Sequence, residues 1–214
     1  MKVRPLKKKI LLKNNKINSS ELNSTQIGKL EFLSEKIELC NKCKRLRKNG
    51  IAIPYWSKRS KYLMLAEGPG GDEVKEENRT PLVGKAGRLC FKVLNDFGFK
   101  REDFLIINCV QCRPLNEYGG NGKPLPGEIE NCNFWFRKYL EVLNPPIILA
   151  LGGYAFNKIT KSNIGITKVS GKLIYSSGFN VIPCIHPASV LYSPENKRLF
   201  VESLKNFKKE VARR

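Results

Sequence analysis

The sequence predicts an α/β fold: a three-layer α/β/α domain around a central, mostly parallel four-stranded sheet. Three observations carry this. Four short apolar runs, at 62–66, 104–110, 147–151 and 181–185, have the length and bounds of buried strands. Helix-length segments at 86–97, 128–143 and 154–159 separate them, and strand–helix–strand alternation gives parallel strands covered on both faces. The 214 residues suffice for one such domain and a short extension, not for two full domains.

Taken in order, residues 1–16 carry seven lysines and arginines without one acid, and Asn and Ser dominate as far as Ser24. Residues 1–25 therefore read as a basic, disordered arm, and 26–214 as a single domain. From Gln26 the spacing of Ile27, Leu30, Leu33 and Ile37 places one apolar face on a helix that leads into Cys40. The four runs and their intervening helices follow. Residues 172–176 can add an extra strand, hairpinned through Ser177 and Gly178 onto the last run, and an amphipathic helix at 196–211 ends the domain.

Thirty-nine Lys and Arg against nineteen Asp and Glu give a formal charge of +20, a field that collects polyanions. Nucleic acid is the first partner this implies. No run approaches the roughly 20 apolar residues of a membrane span, and the lysine-rich start lacks the apolar stretch of a signal peptide. A cytoplasmic monomer without membrane contact is expected. Seven cysteines without a secretory signal argue for reduced thiols or a metal site over a disulfide scaffold.

In open α/β sheets the ligand crevice lies beyond the carboxyl ends of the strands. Here those ends are polar or rich in glycine. The first run exits into Glu67-Gly68-Pro69-Gly70-Gly71, and the second passes Asn108 toward Cys112-Arg113-Pro114. The third exits into Gly152-Gly153, and the fourth into His186-Pro187-Ala188-Ser189. Any one of these residues alone reads as a cap or a turn. Together they put one carboxylate, one carboxamide and the chain's single histidine on one rim.

Cys40-Asn41-Lys42-Cys43 is a CxxC turn that brings two thiolates to one centre, and a loop rich in Pro and Gly between Cys112 and Cys132 can supply a second pair. A cysteine tetrad of this kind holds zinc or an iron–sulfur cluster, and spacing does not choose between them. Cys90, Cys109 and Cys184 fall in apolar segments and read as small core residues.

Several of these segments, in this order, form a pattern. Glu67-Gly68-Pro69-Gly70 with Thr80-Pro81-Leu82-Val83-Gly84-Lys85-Ala86-Gly87, then Asn108 through Cys112-Arg113-Pro114, then His186-Pro187-Ala188-Ser189 resemble the motifs of the iron–sulfur-containing, family 4 uracil-DNA glycosylases. The resemblance runs from about residue 39 to about residue 204. It implies a base-excision enzyme that flips uracil out of single- or double-stranded DNA and hydrolyses its N-glycosidic bond. It further implies a [4Fe–4S] cluster on Cys40, Cys43, Cys112 and Cys132, with zinc the alternative. Asn108 matches the residue that bonds the uracil edge, His186 the one facing O2, and Glu67 with Gly68, Pro69, Gly70 and Gly71 the loop around the flipped nucleotide.

The chemistry suits those residue types. A carboxamide offers a donor and an acceptor together, matching O4 and N3–H of uracil and mismatching cytosine. A donor aimed at O2 stabilises the charge that develops on the leaving base. In other branches of the superfamily a carboxylate holds the attacking water from the position of Gly68, so Glu67 is expected to substitute, with Asp72 and Glu73 as alternatives. Val190, Leu191 and Tyr192 are placed to fill the vacated stack, and Lys85 and Ser189 to touch DNA. Leu82 stands where the family has a phenylalanine that stacks on uracil, which predicts weaker base binding. Ala66 replaces a frequent glycine, and 74–79 is longer than usual. Two other readings stay open: a non-catalytic iron–sulfur or zinc protein that binds DNA, and a nucleotide-handling enzyme using the glycine turn for phosphate.

Overall fold

A computed structural model describes residues 21–214; the basic stretch before them lies outside the described residues. The first helix, α1 (Ser24–Glu38), begins before Gln26 because Asn23 and Gln26 cap each other's backbone N–H groups in a capping box. Leu22 donates its N–H to the Lys58 carbonyl at 2.7 Å and packs on the core.

The strands are β1 (Tyr62–Ala66), β2 (Phe104–Asn108), β3 (Ile148–Leu151), β4 (Ile174–Ser176) and β5 (Phe179–Cys184). The sheet therefore has five strands, not the expected four. The fifth is the short 174–176 segment, paired antiparallel to β5 through a Ser177-Gly178 turn with φ of 52° and 87°. Sheet order is β2-β1-β3-β5-β4, with every pair except β4–β5 parallel. The second run stops at Asn108 rather than at 110, because Val110 turns back to bond the Glu67 carbonyl.

The remaining helices are α2 (Lys44–Arg47), α3 (Lys85–Asp96), α4 (Pro126–Leu143), α5 (Gly153–Thr160), α6 (Ile166–Val169), α7 (Pro187–Val190) and α8 (Pro194–Ala212). Strand residues alternate between two cores. Leu63, Leu65, Leu105, Ile107, Ile148, Ala150 and Val181 meet α1, α4 and α5, while Met64, Ala66, Ile106, Leu149, Leu151, Ile182 and Cys184 meet α3 and α8. The period of two explains why each run reads as continuously apolar: both faces are covered. Cys90, Cys109 and Cys184 are fully buried core residues, as their apolar surroundings predict. No helix among the described residues is long and apolar enough to cross a membrane.

Candidate active site

The chain moves from β1 outward to β2, then crosses back past β1 to β3, so the strand order reverses beside β1. The parallel strands deliver Glu67, Asn108, Gly152 and His186 beyond their carboxyl ends, on the rim where a reversal of strand order opens a crevice.

Asn108 closes β2 opposite Ala66 and is 1% exposed. Its Oδ1 and Nδ2 are both buried without a hydrogen-bond partner. Leaving such a group unpaired costs about 1–3 kcal/mol, which a fold retains where a ligand supplies the partner.

His186 caps α7, and its Nδ1 accepts the Ala188 N–H at 3.2 Å. The ring hydrogen is therefore assigned to Nε2, leaving a free donor. Burial lowers the imidazole pKa to about 4, so the ring is neutral at neutral pH. Gly152 has φ of 88°, and a Cβ there would stand 3.2 Å from the His186 Cβ. The glycine pair after β3 thus makes room for the histidine. Ser189 Oγ donates to the His186 carbonyl at 2.8 Å and so braces the same turn.

The glycine-rich turn packs under the second loop. A Cβ on Gly68 would meet Val110 at 3.1 Å, and one on Gly71 the Arg113 guanidinium at 3.4 Å. Pro69 is buried between them. The Gly70 N–H is already engaged by the Glu73 carboxylate at 3.3 Å, so it is not the free donor that the sequence suggests.

Of the three carboxylates considered for the water, two are occupied. Asp72 pairs with Lys75 at 3.0 Å, and Glu73 is buried, bonding Gly70 and, at 2.9 Å, the Leu82 N–H. Glu67 is half-buried on the rim, and desolvation raises its pKa above the usual carboxylate range, with Lys123 opposing.

Leu82 is 4% exposed and packs with Ala66 and Cys90 in the second core. Its φ of 58° is left-handed, a conformation costly for a side-chain-bearing residue. Arg101 donates to the carbonyls of Pro81 at 2.6 Å and Leu82 at 3.2 Å while its guanidinium lies over the rings of Tyr55 and Phe91. Gly87 is required beneath, because a Cβ there would stand 2.0 Å from the Leu82 carbonyl oxygen. No motif marks Arg101; only its distance from Leu82 in sequence hides it.

Lys85 is exposed at the first turn of α3. Beyond α7, Leu191 is 47% and Tyr192 87% exposed, whereas Val190 is buried and drops out as a wedge.

Cys40 and Cys43 follow α1, Cys112 lies on the loop after β2 and Cys132 on α4, yet all four line one cavity with Ile37, Leu46, Gln111 and Trp135. Desolvation raises the Cys112 thiol to about 12 and Cys132 to about 11. Among the described residues, no three Cys, His, Asp or Glu side chains group closely enough to hold a single metal ion.

Fold and rim together define a doubly wound α/β protein with a buried, unpartnered carboxamide where the strand order reverses. Residues 53–208 match the Uracil DNA glycosylase superfamily, and the chain belongs to it. It is 33% identical to the type-4 uracil-DNA glycosylase of Thermotoga maritima over 84% of this chain and 93% of that protein. Similarity extends to the type-4 enzymes of Saccharolobus solfataricus (33% identity, 86% of this chain, 87% of that protein) and Archaeoglobus fulgidus (32%, 82% and 90%).

Proposed function

We propose that this protein is a uracil-DNA glycosylase of the type-4 kind, acting on uracil in DNA for base-excision repair. The observation that carries the reading is the buried, unpartnered carboxamide of Asn108 on the same rim as the neutral His186 donor.

With the nucleotide extruded, Asn108 offers Nδ2 to uracil O4 and Oδ1 to N3–H, the pairing its missing partners leave open. His186 Nε2–H faces O2 and stabilises the negative charge that grows there as the glycosidic bond lengthens. A neutral donor does this without protonating the base. Glu67, ionised, accepts a proton from the attacking water, which adds to the sugar carbon as uracil leaves. Leu82 covers one face of the base, and Leu191 and Tyr192 fill the vacated stack.

Cys40, Cys43, Cys112 and Cys132 would hold a [4Fe–4S] cluster. One feature of this cavity supports the fit. The indole Nε1–H of Trp135, which lines the cavity, is buried without a partner, and cluster sulfurs accept such donors. When bound, the cluster would supply four bonds cross-linking the turn after α1, the loop after β2 and α4.

The test is cleavage of a labelled oligonucleotide carrying one uracil, followed by alkali, beside Asn108→Ala, His186→Ala and Glu67→Gln. Strand breakage at uracil, reduced in all three, is the expected result. Intact strands with tight DNA binding would favour a non-catalytic DNA-binding protein, and undiminished turnover in Glu67→Gln removes that residue as the base.

A further inference from the structure

We infer that Gln111 is a positioning residue that couples the uracil-reading Asn108 to the cysteine-lined cavity; this rests on the glycosylase and cluster readings above. Residues 104, 106 and 108 present their backbone groups to the outer edge of β2, where Ile106 exchanges hydrogen bonds with Tyr55 at 2.8 and 3.0 Å. Among the described residues no strand continues beside Asn108, so its carbonyl lacks a ladder partner. Gln111 supplies one: Nε2 donates to the Asn108 carbonyl at 2.6 Å.

The same residue is built into the other site. Gln111 is 2% exposed and lines the cavity shared by the four cysteines. Its carbonyl accepts the Ala52 N–H at 2.8 Å, and Cys112 is the next residue in the chain. Lys158, buried and lying over Phe136 one helical turn from Cys132, donates to the Cys109 carbonyl at 2.9 Å and fixes the next peptide. A displacement of Cys112 therefore reaches the Asn108 peptide through the Gln111 backbone and one side-chain bond. By linkage, a base held by Asn108 must steady the cysteine cavity to the same degree.

The experiment uses the intact protein and the variants Gln111→Met, which removes the amide, and Gln111→Glu, which keeps the shape and loses the donor. Iron and acid-labile sulfide are assayed first. Free uracil is then used as the probe in two measurements: its inhibition constant against the uracil oligonucleotide, and its effect on the rate at which a chelator bleaches the cluster's visible absorption. Expected are an inhibition constant raised about tenfold in both variants, with affinity for uracil-free DNA unchanged, and at least threefold slower bleaching with uracil in the parent only. Equal uracil protection in parent and variants, or none in the parent, overturns the coupling. An unchanged inhibition constant overturns the positioning role. A parent without iron and sulfide refutes the cluster reading and, with it, the coupling, while the inhibition constants still decide whether Gln111 positions Asn108. A melting curve for each variant separates these effects from loss of the fold.

Discussion

The carboxylate of Glu73 accepts the backbone N–H of Leu82 at 2.9 Å and, with its other oxygen, that of Gly70 at 3.3 Å. One buried side chain thus joins the glycine turn to Leu82, and Arg101 holds the Leu82 carbonyl. Glu73→Ala should leave a buried N–H unpaired and lower stability by about 1–3 kcal/mol. Glu73→Gln keeps the acceptor for Leu82 but turns an amide N–H toward Gly70, and should fall between the two. Urea denaturation of the three proteins checks the ranking; parent-like stability in Glu73→Ala would mean the clamp is not formed.

Asn108 predicts an opposition between stability and function. Because both of its side-chain atoms are buried without partners, Asn108→Leu, of similar volume, should be as stable as the parent or about 1 kcal/mol more stable. Its kcat/KM on uracil DNA should fall by roughly a hundredfold or more, the loss expected when a specificity bond to a buried base disappears. A strong destabilisation in the melting curve would show that the carboxamide is structural.

Acid titration separates the two ionisable groups. The folded His186 pKa, about 4, lies below the free value of 6.5, so the folded state binds fewer protons between these values. Its contribution to stability is complete above about 6.5 and is lost as pH falls toward 4. Excision should therefore show no His186 inflection near pH 6.5. The acid limb should instead follow Glu67, whose pKa is raised, with the rate falling as that carboxylate protonates. In Glu67→Gln this limb should vanish from a rate that is already low. A limb near 6.5 that survives in Glu67→Gln would contradict the neutral-histidine mechanism.

Leu191 is exposed directly after the His186 turn. If it fills the stack, Leu191→Ala should slow excision from duplex DNA by about tenfold, roughly the few kcal/mol scale of unstacking shared among contacts, and leave single-stranded DNA nearly unaffected. An unaltered ratio of the two rates would assign the wedge elsewhere, with Tyr192→Ala the next variant to assay.

The α/β class is legible in the residue order, because a strand buried on both faces is apolar along its length, and β1 and β3, β2 up to Ile107 and β5 from Val181 are. The residues at the strand ends are legible too, since Glu67 and His186 follow such runs and Asn108 closes one. Other relationships leave no period in the sequence and emerge only from the packed fold. The β4 edge strand is three half-exposed residues, too short and too polar to read with certainty. The fate of the three rim carboxylates, the clamp of Arg101 on Leu82 and the Gln111 bond to Asn108 all depend on which backbone groups the sheet leaves unpaired. Those are set by where strands end and what lies beside them, so a side chain that satisfies them can come from any point in the chain. The convergence of Cys40, Cys43, Cys112 and Cys132 on one cavity is of the same kind: the CxxC turn is local, but the packing of α1 on α4 closes the rest.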